Sequence, residues 1–251
     1  MNRSFAAFLW FLLALCVTFG VGVWWLGPAV VSLAVDGDRR STPYYVVHLA
    51  SVPDGTDSSG YFQQLRQLVR EEEGQLLWRG ALTTMHSGRL ADERDDLLVY
   101  RFAAGADVVQ LLTSAEYRDL AAAVPPLLLG TPTQPEVLEE KGALLLWLLR
   151  LREEKQADSP SEAVAAGVAG AAPAALASVF ATLGPFHGQM VWQAPVDVVA
   201  GQVDWNTLVV LAFPDSNAAS AWLADSRTAT ELALARKAVS AQALLEFNAR
   251  L

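Results

Sequence analysis

Apolar residues in this chain fall into three kinds of pattern, and each predicts a different element. The first is an unbroken run. From Phe5 to Leu26 no residue is charged, and the uncharged stretch continues to Val35. At about 1.5 Å of rise per residue, a helix over residues 5–26 reaches roughly 33 Å, enough to cross a hydrocarbon core of about 30 Å. Trp24 and Trp25, followed by Gly27-Pro28, read as an interfacial aromatic belt and a helix stop. The run exceeds the apolar core of about 7–15 residues found in cleaved signal peptides, although Ser32-Leu33-Ala34 would suit a peptidase. A lipoprotein signal needs a small residue before its cysteine, whereas Leu15 precedes Cys16. The expectation is a retained single-pass anchor with its juxtamembrane segment, residues 1–42. The flanking charges, Arg3 against Arg39 and Arg40, nearly balance. With a cysteine-free remainder, the arrangement expected is the bulk of the chain on the outer, periplasmic face.

The second pattern is short and β-rich, and the third has helical spacing; the two interleave. Tyr44-Tyr45-Val46-Val47-His48-Leu49 predicts a strand bounded by the Pro53-Asp54-Gly55 turn. Ser59 is a candidate N-cap for a helix with Phe62, Leu65, Leu68 and Val69 on one face, and Gly74 ends it. Gln75 to Met85 extends as a strand, His86-Ser87-Gly88 turns, and Asp96 to Phe102 returns. Asp107 to Ala123 is helical with a break near Ser114, and Val124 to Leu129 forms a short last strand. Residues 43–130 thus form a first domain. Thr131 to Gly142 is a linker, with two prolines and Glu139-Glu140-Lys141.

Residues 143–251 repeat the series. Leu144 to Arg150 opens it, followed by an insertion at 153–172 that is charged first and Ala/Gly-rich later. Ala174 to Leu183 and Ser216 to Val239 are helical. Gln189 to Val199, Thr207 to Phe213 and Ala241 to Phe247 are strands. Gly74-Gln75-Leu76-Leu77-Trp78 recurs as Gly188-Gln189-Met190-Val191-Trp192, and Leu97 to Phe102 as Leu208 to Phe213. Tyr44 to Leu49 then corresponds to Leu144 to Leu149. Elements in one order at nearly constant spacing indicate a tandem duplication. Strand–helix–strand–strand–helix–strand is the ferredoxin-like order, an α+β fold. Each four-stranded sheet has one bare apolar face, so two copies can cover each other, packed sheet on sheet as an intrachain pseudo-dimer.

Composition narrows the function. With 18 Lys and Arg against 27 Asp and Glu, the net charge of −9 excludes a phosphate-neutralising basic stripe, and so nucleic acid as a partner. It also argues against a polybasic grip on anionic lipid. The single cysteine, Cys16, lies in the apolar run, which leaves no cysteine for disulfides or metal in the remainder. No Walker, GxGxxG or GxSxG pattern occurs in a suitable context.

Each copy resembles the dimeric α/β-barrel superfamily, most closely a small family of uncharacterised domains. The residues that carry the resemblance are Glu73-Gly74-Gln75, Leu77-Trp78-Arg79-Gly80, Leu98 to Phe102 and Ser114-Ala115-Glu116-Tyr117-Arg118. In the second copy they are Trp205 to Phe213, Ala218 to Leu223 and Ala235-Arg236. The second copy departs at Arg227-Thr228, where tyrosine is expected, and by its insertion. The superfamily includes cofactor-free monooxygenases, haem-dependent enzymes and small-molecule-binding regulators, so the resemblance does not choose a function.

Candidate chemistry is sparse. His48, on the first strand, is a weak candidate for a general base or haem ligand facing a cavity between the sheets. A lone strand histidine is also ordinary hydrogen-bonded filler. Its counterpart in the second copy is Leu148 or an apolar neighbour. Trp78, Trp192 and His187 are candidates for lining a ligand cavity, though large aromatics on a sheet also serve as core. His187 adjoins the Gly188 helix end, and His86 sits at an expected hairpin tip. The three histidines lack metal-ligand spacing. No cofactor and no metal is expected. The reading that follows is a membrane-anchored binding or accessory protein without evident catalysis. Its partners would be the bilayer through residues 5–26, and other membrane-complex subunits or a small apolar ligand. The alternative is a cofactor-free or haem-dependent monooxygenase-like enzyme using the cavity between the two sheets.

Overall fold

The computed structural model describes residues 42–52, 58–88, 96–136, 142–151, 171–201 and 205–249. The anchor expected at 5–26 lies outside these residues, as does all but the end of the insertion expected at 153–172. Among the described residues no helix is long and apolar enough to cross a membrane.

The first half runs β1 (Tyr44–Ala50), α1 (Ser58–Glu71), β2 (Gln75–Ser87), β3 (Asp96–Phe102), α2 (Gly105–Thr113), α3 (Ala115–Ala123) and β4 (Leu127–Thr131). The second runs β5 (Ala143–Leu151), α4 (Ala171–Phe180), β6 (Gln189–Pro195), β7 (Asp197–Ala200), β8 (Thr207–Phe213), α5 (Ser216–Ala224), α6 (Ser226–Ala238) and β9 (Val239–Ala249). The result is an α+β fold with one nine-stranded antiparallel sheet in the order β6-β8-β5-β9-β2-β3-β1-β4-β7.

The expectation of separate sheets packed face to face is corrected by the pairing of β2. β2 has 13 residues: its first part pairs with β3 along one edge, while its opposite edge pairs with β9 of the second half, from Gly80↔Ala249 to Ser87↔Leu244, Gly80 and Ala81 being paired on both sides. An unpaired edge of that length would leave a row of unmet backbone groups. The opposite seam joins β4 to β7. β6 and β7 stand at the two ends of the strand order, yet only Val196 separates them in the chain. The sheet must therefore curl back until its ends meet.

Curling creates three layers. Inward side chains from both halves, among them Tyr45, Val47, Trp78, Leu146, Trp192 and Phe247, form one shared interior. Outward side chains pack under α1–α3 in the first half and under α4–α6 in the second. β1 and β5 are buried on both faces for this reason, which explains their nearly continuous apolar runs. At the β2–β9 seam Gly80 leaves no room for a side chain. A Cβ there would meet the Trp78 ring and stand 2.8 Å from the Asn248 carbonyl. Gly80→Ala is expected to cost about 1–3 kcal/mol of stability in urea denaturation.

Pairing also sets which residues of the two halves are equivalent. Tyr44 lies opposite Phe102 as Ala143 lies opposite Phe213. The counterpart of His48 is therefore Trp147, one residue from the Leu148 expected; an apolar run carries no register until its partner strand supplies one. β2 and β6 each carry a bulge, between Leu76 and Trp78 and between Met190 and Trp192. Glu73 and His187 occupy equivalent left-handed positions, with φ of 55° and 54°. Ser114 breaks the helical stretch into α2 and α3, its hydroxyl accepting from the Tyr117 amide at 3.2 Å. Asp225 does the same for α6 by accepting from the Thr228 amide at 2.9 Å. That amide holds the Asp225 carboxyl below its ordinary pKa. A depressed carboxyl contributes stability above its unfolded value and loses it as pH falls through the folded one. Asp225→Ala should thus lower the melting temperature at neutral pH, the difference from wild type vanishing in acid.

Candidate functional site

Along β1 the pleat turns Tyr45, Val47 and Leu49 inward and Tyr44, Val46, His48 and Ala50 toward the helices. His48 is 1 % exposed. Four tyrosines share its layer, Tyr44 from β1 itself and three from neighbouring elements. Tyr61, on the buried stripe of α1, places its hydroxyl 3.4 Å from His48 Nε2. Tyr100, on β3, sets its ring 6.3 Å from the His48 ring at 51°. Tyr117 enters from the first turn of α3, where the Ser114 cap fixes it.

The polar atoms here are unusual. The hydroxyls of Tyr100 and Tyr117 are buried without a hydrogen-bond partner among the described residues. Burial pushes the pKa of both phenols far up, and the neighbouring Tyr61 pushes in the same direction. Both therefore remain protonated donors. An unmet buried hydroxyl costs about 1–3 kcal/mol, and two in one layer mark a place where an acceptor would be stabilised.

The second half shows what this layer looks like without that polarity. Trp147, Ala175, Leu211 and Thr228 occupy the positions of His48, Tyr61, Tyr100 and Tyr117. The indole N–H of Trp147 donates to Gln242 Oε1 at 3.1 Å, and that of Trp222 to Thr182 Oγ1 at 2.8 Å. One fold thus carries two equivalent layers, one with a buried Thr228 hydroxyl among apolar side chains and one lined by an imidazole and four phenols.

The other candidates from the sequence lie elsewhere. Trp78 and Trp192 are buried in the shared interior among leucines and valines. Trp192 meets Tyr45 edge-on at 6.1 Å, and its indole N–H donates to the Thr133 carbonyl at 3.0 Å. Around these two rings the space between the halves is packed core, and Trp192 also borders a cleft of about 550 Å³ with Val191, Ala194 and Pro195. His187 caps the short 3-10 turn Gly184–Phe186 in the second half. His86 is not at a hairpin tip: β2 continues through it, and its Nε2 lies 2.7 Å from Glu246 Oε2 across the β2–β9 seam. Tyr61, Tyr100 and Tyr117 went unrecognised as site residues. The available signal was their replacement by Ala175, Leu211 and Thr228 in the second half.

A metal is not favoured by this geometry, since no group of three His, Cys, Asp or Glu among the described residues could hold one. Haem fits no better. His48 Nε2 faces the Tyr61 hydroxyl and His86 Nε2 faces Glu246, so neither nitrogen is presented over an open apolar slot.

In sequence the chain matches no protein-family model and no curated protein. In structure it is similar to a Lactobacillus acidophilus protein assigned as a monooxygenase. Identity there is 10 %, coverage 83 % of this chain and 94 % of the other, and the TM-score 0.46. An anthrone oxidase-like protein matches at 8 % identity over 84 % and 92 % of the chains, with a TM-score of 0.46. A mutant chlorite dismutase from Candidatus Nitrospira defluvii matches at 10 % identity over 88 % and 95 %, with a TM-score of 0.49.

These likenesses are of fold.

These neighbours correct the expectation of a binding or accessory protein without catalysis. The proteins in these solved structures are named as enzymes, in contrast to that expectation. Likeness at this level is one of fold, so the case for chemistry rests on the residues around His48.

Proposed function

We propose that this protein is a cofactor-independent enzyme of the monooxygenase-like kind, acting on a small, weakly acidic organic substrate in the layer between β1, β3 and α1–α3 of the first half. The observation that carries this reading is the buried His48 with Tyr61, Tyr100 and Tyr117, two of whose hydroxyls have no hydrogen-bond partner among the described residues. His48 takes a proton from an activated methylene or enol, and the Tyr100 and Tyr117 hydroxyls donate hydrogen bonds to the oxyanion that results. The carbanion then gives its electrons to dioxygen, so that one methylene and one O₂ become one ketone and one water. The layer is closed by α1, whose Tyr61, Phe62, Leu65 and Val69 pack against the sheet, and access requires that helix to swing outward. Residues 5–26 would tether the enzyme to a membrane, its folded part on the outer face. The matching registers of the two halves support their origin by duplication, the second half having kept the scaffold and lost the polar cluster.

The test is oxygen uptake by the full chain in mild detergent, with no added cofactor, over a panel of cyclic ketones and phenols with an activated methylene. Uptake matched one to one by ketone formation is expected; no uptake across the panel counts against the reading. A second prediction uses stability. Tyr117→Phe removes an unmet hydroxyl, so the ligand-free variant should gain about 1 kcal/mol or more, roughly 2–4 °C in Tm per kcal/mol. It should also lose activity. A variant that is less stable and equally active would show that the hydroxyl serves the fold.

A further inference from the structure

A second cluster of chemistry lies on the outside of α1. A groove of about 810 Å³ runs along this helix and against β2. Arg66 and Arg70, one helical turn apart, project into it from α1, and Arg79 reaches it from β2. Arg79 is held in place from two sides. Its guanidinium stands 3.9 Å from the centre of the Phe62 ring, and its Nε and Nη2 donate to Asp96 Oδ1 at 3.3 and 3.2 Å. Glu71, the one carboxylate among the described residues lining the groove, accepts from Gln67 Nε2 at 2.9 Å. Arg66 and Arg70 make no ion pair among the described residues, and like charges at this spacing weaken a helix.

We propose that this groove binds a small organic anion carrying two or more phosphate or carboxylate charges. Three guanidinium groups converge on one surface of a chain whose net charge is −9, a field that otherwise repels anions. Arginine offers a planar fork of N–H donors that pairs with phosphate and carboxylate through two parallel bonds. Because Arg79 already spends part of its fork on Asp96, the freely presented donors belong to Arg66 and Arg70. The hydroxyl of Ser59 and the amide of Gln63 add neutral donors along the same side. The second half has no equivalent: α4 reads AAPAALASVF without a charged residue, and Gln193 stands in the place of Arg79. As with the His48 layer, the feature is confined to the first half. The site does not depend on the enzymatic reading, since Phe62 stands between the groove and the tyrosines.

Isothermal titration of the full chain with pyrophosphate and, separately, citrate at constant ionic strength tests the proposal. Saturable binding of at least one is expected, weakened about tenfold or more in Arg66→Gln/Arg70→Gln. Arg66→Lys/Arg70→Lys, which keeps charge but not the fork, should fall between the two and guards against a folding defect in the first variant. His48→Gln should bind as wild type, which separates this site from the catalytic one. Absence of saturable heat with both anions at about 10 mM, roughly the weakest affinity a specific site would show, overturns the proposal. Equal affinity in wild type and the glutamine variant overturns it as well.

Discussion

His48→Gln is expected to lower kcat by about 10²–10⁴-fold while leaving the protein folded and KM nearly unchanged. Glutamine can still offer a polar group to the Tyr61 hydroxyl, which lies 3.4 Å from Nε2 in the wild type, but it cannot take a proton. The split between kcat and KM separates a base from hydrogen-bonded filler. Filler would show its loss in melting temperature, not in turnover. A variant with unchanged kcat removes His48 from the mechanism. His48→Leu, which imitates the apolar layer of the second half, should be equally inactive.

Trp192→Ala is expected to cost about 3–5 kcal/mol, the largest effect on stability among single changes considered. Trp192 is 2 % exposed and belongs to β6 in the second half, yet its ring packs edge-on against Tyr45 of the first. Its N–H also holds the linker through the Thr133 carbonyl. Truncation opens a void in the shared interior and frees the linker at once. Because that interior draws on both halves, urea unfolding should remain one transition, moved to lower denaturant. A loss below about 1 kcal/mol, or two separate transitions, would show that each half has its own core.

Local elements were largely readable from the residues. The apolar run in Asp96 to Phe102, the apolar stripe Phe62-Leu65-Val69 and the Ser114 break follow from β-propensity, periodicity and capping, which act within a few residues. The similar motifs ending in Trp78 and Trp192 pointed to matching strands, and both strands carry a bulge at the same place. The candidate site was legible only in part. His48 was singled out, but it was expected to face the space between the sheets, whereas it turns toward Tyr61 and the helices. That error has a physical source. One apolar strand face looks like another in sequence, whether it meets helices or a second set of strands.

By itself, the sequence determined the elements, their order, the acidic surface and the long uncharged run at residues 5–26, because composition and short-range periodicity suffice for these. Only the tertiary structure decided that β2 pairs with β9 and joins the halves into one curled sheet. Only the tertiary structure made His48 equivalent to Trp147, and it alone gathered Tyr61, Tyr100 and Tyr117 around the imidazole. Those outcomes depend on strand register and on which face the helices cover. Both are settled by contacts between residues far apart in the chain, which no local pattern encodes.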